Sequence, residues 1–545
     1  MTPWTGYWPA DPARLRSALE GLAPQRPDVF MTPDATGLPG NCVAGLWPEA
    51  ELRLRPGDGV ERLKAFCFGG AQGGTSGGAS GGLGEGWPEF RPGPALGFLS
   101  YPAGFAGLGL TPPRGDFPLG VFRKYRVVLV QDRLNSRVRV LATSAAALDM
   151  ALRLLGRITD FAFPSLPAFS GALGASLSAT AYRQAVHQAR EAILDGHIYQ
   201  LNLSIRFETE WPDALDPAQL FWSLGKRHPA PFYSLYYDSP YAILSTSPER
   251  FLRVRGGEVL SQPIKGTRLA GKDVLASAAA LTASAKEDRE LSMIVDLIRN
   301  DIAARCAYGS VAVEGHKSLF LVDDLLQMYA NVQGRLRPGS TCLDLLWDAL
   351  PPGSVTGCPK KRAVEIIDRL EPHRRDAYCG CMAVVWDERT MDSSVAIRTA
   401  VLDEAARRLA FYAGSGIVVD GLLQMYANVQ GRLRQGATCL DLLWSALPPG
   451  SVTGCPKKRA VEIIDRLEPH RRDAYCGCMA VVWDRQSMDS SVAIRTAVVD
   501  EAAERLAFFA GSGIVVDSDP YLEYQETLAK AGKFFDLVNR HPGEP

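Results

Sequence analysis

The chain predicts an α+β fold, with layered antiparallel β-sheets and helices packed outside. Strand-like runs follow one another without intervening helices, as in YAILST, RFLRVRG and EVLSQPI between 241 and 264. Helical patterns are set apart from them, at 181–196 and 286–304. Runs of strands with segregated helices build layered α+β structures; strict strand–helix alternation would build a doubly wound parallel sheet.

Taken in order, the first 165 residues carry strand-like segments such as ALGFLSY and VFRKYRVVLVQD. They are interrupted at 69–86 by GGAQGGTSGGASGGLGEG, a composition that cannot bury a core. A Ser/Pro/Gly-rich stretch at about 162–180 reads as a boundary, giving an N-terminal region 1–165 and a second region 175–545. In TAYRQAVHQAREAILDG, Tyr182, Val186, Ala189 and Ile193 share a helix face, and Gly196 is a natural stop. IYQLNLSIRFE then alternates with period two, as a strand does. In the helix 286–304, Leu291, Ile294, Val295, Ile298 and Ile302 form the apolar stripe, while Glu287 and Glu290 stand three residues apart. From Asp519 onward one long helix is expected, capped by Asp519 with Pro520 in its first turn.

Between these helices the chain repeats itself. Residues 324–420 return as 421–517 with ten differences in 97 aligned positions, among them Pro338/Gln435, Asp348/Ser445, Glu388/Arg485 and Tyr412/Phe509. Structural repeats are shorter and drift at the surface. Each copy reads as strand, helices, then strands such as MAVVW and GIVV.

Composition narrows the function. With 46% hydrophobic residues, 22% charged and a formal net charge of −1, the chain lacks the basic face that nucleic acid requires. There is no basic-then-apolar leader and no apolar run near 20 residues. Eleven cysteines are mostly four positions counted twice, and Cys379 and Cys381 lie in the strand-like AYCGCMAVVW, so buried reduced thiols are expected. These features imply a cytoplasmic protein with no membrane partner.

Four groups of residues carry chemistry. Glu523, Glu526, Lys530 and Lys533 share the polar face of the tail helix, opposite Tyr521, Tyr524, Leu528 and Phe535. Glu287 and Glu290 supply carboxylates from another helix, and one or two carboxylates suffice to hold Mg²⁺ when a ligand's oxygens complete the shell. Lys265, between Pro263 and Gly266, is a candidate nucleophile with Glu249 as its proton-transfer partner. GSVTGCPKKRAVEIIDRL, AIRTA and AGSGIVVD occur in both copies. They offer free helix amides with Lys360 or Lys457, an arginine, and a Gly-Ser-Gly bend, all suited to an anion.

Together, IYQLNLS, SPERFL, PIKGT, MIVDLIRND, SVTGCPK, AIRTA, GSGIVVDSDP and EYQET resemble, in order, the chorismate-utilising enzymes, and most closely their aminodeoxychorismate synthase component I members. The resemblance runs from about residue 180 onward, with a weaker likeness at GFLSYPAGF. It implies the fold of anthranilate synthase component I and a Mg²⁺ ion held by Glu290 and Glu526, with Glu523 as acid/base. It further implies carboxylate contacts from Tyr475, Arg495, Gly511, Gly513, Lys530 and Lys457, whose first-copy equivalents are Tyr378, Arg398, Gly414, Gly416 and Lys360. Water-adding members carry a lysine where this chain has Gln200, and anthranilate synthases usually carry alanine where it has Lys265. The implied reaction is therefore amination of chorismate at C4, with catalysis by Lys265, Glu249 and Glu523. The implied partner is a separate glutamine amidotransferase subunit, since no glutaminase-like segment is present. The alternatives are anthranilate synthase component I and a non-catalytic paralogue disabled by the duplication. The chain departs from the pattern at Gln327 and Ala330, where many relatives read HxxS.

Glu249, Lys265 and Glu290 precede both copies, and Glu523, Glu526 and Lys530 follow both, so one chain encodes at most one complete site. The second copy is expected to fill the native place, because its GSGIVV strand runs directly into the tail helix, leaving the first as surplus strands.

Overall fold

The computed structural model describes residues 4–511 apart from 10–11, 34–38, 70–92, 114, 133–136, 159–162, 164, 168, 170, 213–214, 229, 272, 323–324, 418–432, 435, 455, 495 and 501–504; beyond 511 it describes Ile514, Pro520, Tyr521, Tyr524, Thr527 and Leu528. The Gly-rich insert and most of the expected tail helix lie outside the described residues; Pro520, Tyr521, Tyr524, Thr527 and Leu528 are helical.

Two compact units make up the chain, Met1–Leu423 and Gln424–Pro545. Among the described residues of the first, twenty strands join in one sheet and every pairing is antiparallel, as the α+β reading expects. The N-terminal segment belongs to this sheet: Ala95–Leu99 pairs with Cys381–Asp387, and Val29 lies opposite Leu235. Among the described residues no helix is long and apolar enough to cross a membrane.

The first copy of the repeat is the one built into the sheet, which reverses the expectation that the second copy would be. Leu325–Arg335 returns on Ala312–Val322 and also pairs with Ile264–Leu269. Thr390–Val395 pairs with Arg250–Arg255, Thr399–Asp403 with Tyr241–Ser245, and Arg408–Ile417 with Gln200–Glu210. The physical reason is fit. Residues 323–324 alone separate Leu325–Arg335 from its hairpin partner. Seating the second copy there would lengthen that connection to 99 residues, 323–421, at a closure cost of about 3 kcal/mol. Seating the first copy transfers a comparable lengthening to the junction with the tail, so the closing preference comes from contacts. Asp348 pairs with Arg305 at 2.6 Å, Arg407 donates to the Trp211 carbonyl at 3.3 Å, and Leu402 is fully buried. The second copy has Ser445, Glu504 and Val499 at these positions.

The long helix Ala285–Ala303 is capped by Ser284, which accepts from the Glu287 amide. It buries Leu291, Ile294, Val295, Ile298 and Ile302, the stripe read from the sequence. Gly353 is pressed against it: a Cβ there would stand 2.6 Å from Leu297 Cδ2. That close approach fixes the 3-10 turn Gly353–Val355, which carries Ser354. Cys379 and Cys381 are buried, and burial pushes both thiols up to about 12.

In the second unit the same local elements form, Cys439–Ala446, Lys457–Leu467 and the strand pairs Cys478–Val482/Met488–Val492 and Ala497–Asp500/Arg505–Phe508. Large apolar side chains on them are exposed, among them Trp444 at 83% and Met479 at 69%.

Candidate active site

Three side chains converge on one glycine. A Cβ built on Gly416 would lie 3.6 Å from Glu290 Oε2, 3.7 Å from Lys265 Nζ and 3.9 Å from Gln200 Nε2. The sheet brings Gln200 and Gly416 together, because Gln200–Glu210 pairs with Arg408–Ile417, placing Gly416 opposite Asn202. Lys265 arrives from the neighbouring hairpin, where a register shift between Lys265 and Thr267 coincides with Gly266 at φ +78°. That backbone conformation favours glycine, and the bulge sets the lysine's direction.

Lys265 Nζ donates to the Ser354 carbonyl at 3.1 Å. Glu249 is buried, and burial pushes its carboxyl up to about 7, while the Ser354 hydroxyl, the Lys265 ammonium and the Ile264 amide pull it partway back. Near neutral pH this carboxyl therefore exists in both protonation states, as a general acid or base requires. Gln200 is 1% exposed, and among the described residues neither its amide nitrogen nor its oxygen has a hydrogen-bond partner. A buried amide left unsatisfied costs about 1–3 kcal/mol, so this side chain stands out among the groups around Gly416.

The first-copy residues divide. Tyr378 is stacked flat on Tyr412, with centroids 4.7 Å apart, and its hydroxyl would stand 2.7 Å from a Cβ on Gly414, so a glycine is needed there. Tyr378 thus meets the strand at Gly414, two residues before Gly416. Arg398 is exposed, with φ +48°, and its carbonyl accepts from the Thr246 amide and hydroxyl, each at 3.1 Å. Lys360, expected to meet an anion, is instead committed to Asp301 at 2.7 Å and the Ala349 carbonyl at 2.8 Å. This buried ion pair docks the helix Lys360–Leu370 against Ala285–Ala303, and the lysine is removed from the ligand contacts.

In the second copy, Tyr475 stacks on Phe509 with its hydroxyl 3.1 Å from the Cβ position of Gly511, and Lys457 donates to the Ala446 carbonyl. Arg495, Gly513, Glu523, Glu526 and Lys530 lie outside the described residues. Ser354 was missed as a site residue, although it lies inside the GSVTG motif; its role appears once the loop is folded beside Lys265. Among the described residues no cluster of three or more His, Cys, Asp or Glu could hold a metal ion by itself.

A family model described as chorismate binding enzyme matches residues 74–422 and again 419–536. The chain belongs to that family. Its two matches break between the copies of the repeat. The chain is 31% identical over 344 residues to an anthranilate synthase component I-like protein of Synechocystis sp., covering 61% of this chain and 70% of that one. It is 40% identical over 252 residues to aminodeoxychorismate synthase component 1 of Klebsiella aerogenes, covering 45% of this chain and 54% of the relative, about half its length. The crystal structure of anthranilate synthase component I from Streptococcus pneumoniae superposes with a TM-score of 0.59 at 26% identity, covering 70% of this chain and 88% of that one.

Proposed function

We propose that the chain aminates chorismate at C4 to give 4-amino-4-deoxychorismate, for 4-aminobenzoate and folate synthesis, with ammonia delivered by a glutamine amidotransferase subunit. The observation that carries this reading is Lys265 poised beside the buried Glu249, with Gln200 and not a lysine across the space. As a neutral amine, Lys265 Nζ attacks ring C2, the ring double bond shifts, and the C4 hydroxyl leaves as water with the proton of Glu249. Ammonia then bonds to C4, the double bond returns, and the lysine leaves C2 as the amine. Burial favours the protonated acid that the first step consumes.

Tyr378 and the Gly414/Gly416 backbone border the space where a substrate carboxylate would sit. Glu290 turns a hard oxygen donor towards it, which suits Mg²⁺; Glu526 would be the second ligand, and the ion would orient the substrate and polarise its carboxylate. Glu523 would be a further acid/base group and Lys530 a carboxylate contact.

The test is incubation of the purified chain with chorismate, Mg²⁺ and ammonium, following aminodeoxychorismate. Turnover that is lost in Lys265→Ala supports the reading; undiminished turnover in that variant refutes it. Anthranilate synthase component I is the second reading, favoured by the relative from Synechocystis sp. and the S. pneumoniae structure. Anthranilate fluorescence without added enzymes would select it. A non-catalytic paralogue would bind chorismate and the amidotransferase without turnover.

A further inference from the structure

Behind the site lies a buried polar network whose centre is Arg375. Its guanidinium is 1% exposed and uses its whole fork. Nε and Nη2 grip Glu371 at 2.9 and 2.7 Å, Nη1 donates to the Val355 carbonyl at 2.8 Å, and Nη2 to the Asn202 carbonyl at 2.6 Å. Glu371 in turn accepts from the Ser204 amide at 2.7 Å and its hydroxyl at 2.8 Å. The Tyr101 ring, from the N-terminal segment, lies 4.8 Å beneath the guanidinium.

The two carbonyls are the informative partners. Val355 follows Ser354, whose own carbonyl holds Lys265. Asn202 is two residues from Gln200 and directly opposite Gly416. One rigid, planar ion therefore ties the loop that positions the lysine to the strand that carries the amide facing it. A lysine in its place would be a point charge without the fork.

The second copy separates this function from mere folding. Arg472 grips Glu468 and donates to the Val452 carbonyl at 2.8 Å, as Arg375 does to Val355. It does so at 23% exposure, and among the described residues it makes no bond to a strand like Gln200–Glu210. The local half of the clamp forms by itself, and the bond to Asn202 is what the site adds.

We propose that Arg375 is a positioning residue that sets Lys265, through the Ser354 loop, against Gln200 and Gly416. The proposal rests on Lys265 being the reacting amine. Arg375→Lys is expected to lower kcat for amination at least tenfold while KM for chorismate stays within threefold, whereas Arg472→Lys leaves both unchanged. A readout independent of turnover is the rate at which an acetylating ester modifies Lys265 relative to other lysines, followed by peptide mass spectrometry. Freed from the Ser354 carbonyl, Lys265 should label at least fivefold faster in Arg375→Lys and at the parent rate in Arg472→Lys. If Arg375→Lys folds poorly, Tyr101→Leu removes the supporting ring and keeps the Arg–Glu pair; the same changes should follow at smaller amplitude. A lower melting temperature with kcat per folded molecule and Lys265 labelling unchanged would overturn the proposal. Should the parent protein fail to aminate chorismate while the labelling contrast holds, the reaction is misassigned and the clamp stands.

Discussion

Thr341 and Thr438 cap their helices identically, each with an aspartate three residues on completing a capping box. Tyr378 and Tyr475 stack on the ring 34 positions later, and Arg375 and Arg472 grip the glutamate four residues earlier, Glu371 and Glu468. Burial is where the copies part. Val384 is fully buried against Ala95–Leu99 and Val481 is 57% exposed; Leu343 is fully buried and Leu440 is 53% exposed. Nearly one sequence thus makes one set of elements twice, while the sheet that completes them is encoded once. Local structure follows from the repeat itself, and a site requires the neighbours it lacks.

The comparison is broken most forcefully at the buried strand. Val384→Asp places a charge in the core, at a cost of several kcal/mol, and should abolish soluble folding of the first unit; Val481→Asp should leave its thermal melt unchanged. Next is the chemistry of Glu249. Its carboxyl, near 7 and above the ordinary 4.5, is protonated below that pH, so an acid-dependent rate should fall as pH rises through about 7. Its stabilising contribution has the same sign, present below the unfolded value and lost as pH rises through the folded one. Ser354→Ala removes a group that lowers this pKa and should move the alkaline limb of the rate profile upward, while Ser451→Ala should not. A smaller effect is expected from Leu402→Val, which imports the second copy's residue and should cost about 1 kcal/mol in denaturant melts; Val499→Leu should be neutral. The smallest is Asp348→Ser, which breaks the half-exposed pair with Arg305 and should cost less than about 1 kcal/mol, with the loss fading at high salt.

Much of this was legible before folding. The helix stripe of Leu291, Ile294 and Ile298 and the alternation in IYQLNLS are local patterns, and the structure keeps them. Lys265, Glu249, Glu290 and Gly416 were marked by residue type in ordered motifs. Their convergence depends on strand register and the Gly266 bulge, which single-chain spacing does not encode. Lys360 was misread because a lysine at a helix start suits an anion equally well when that anion is Asp301. The expectation for the second copy rests on continuity with the tail, whereas the contacts of Asp348, Leu402 and Arg407 that favour the first copy exist only once the neighbouring elements have folded.

Deleting either copy leaves chains that differ at ten positions, so deletion cannot tell which copy the sheet uses. Hydrogen exchange on the intact chain can, because peptides spanning Glu388–Thr390 and Arg485–Ser487 have different masses. The expected result is amides of Cys381–Asp387 protected by orders of magnitude more than those of Cys478–Val482. Equal protection, or the reverse order, would contradict the placement of the first copy in the sheet and the site built on it.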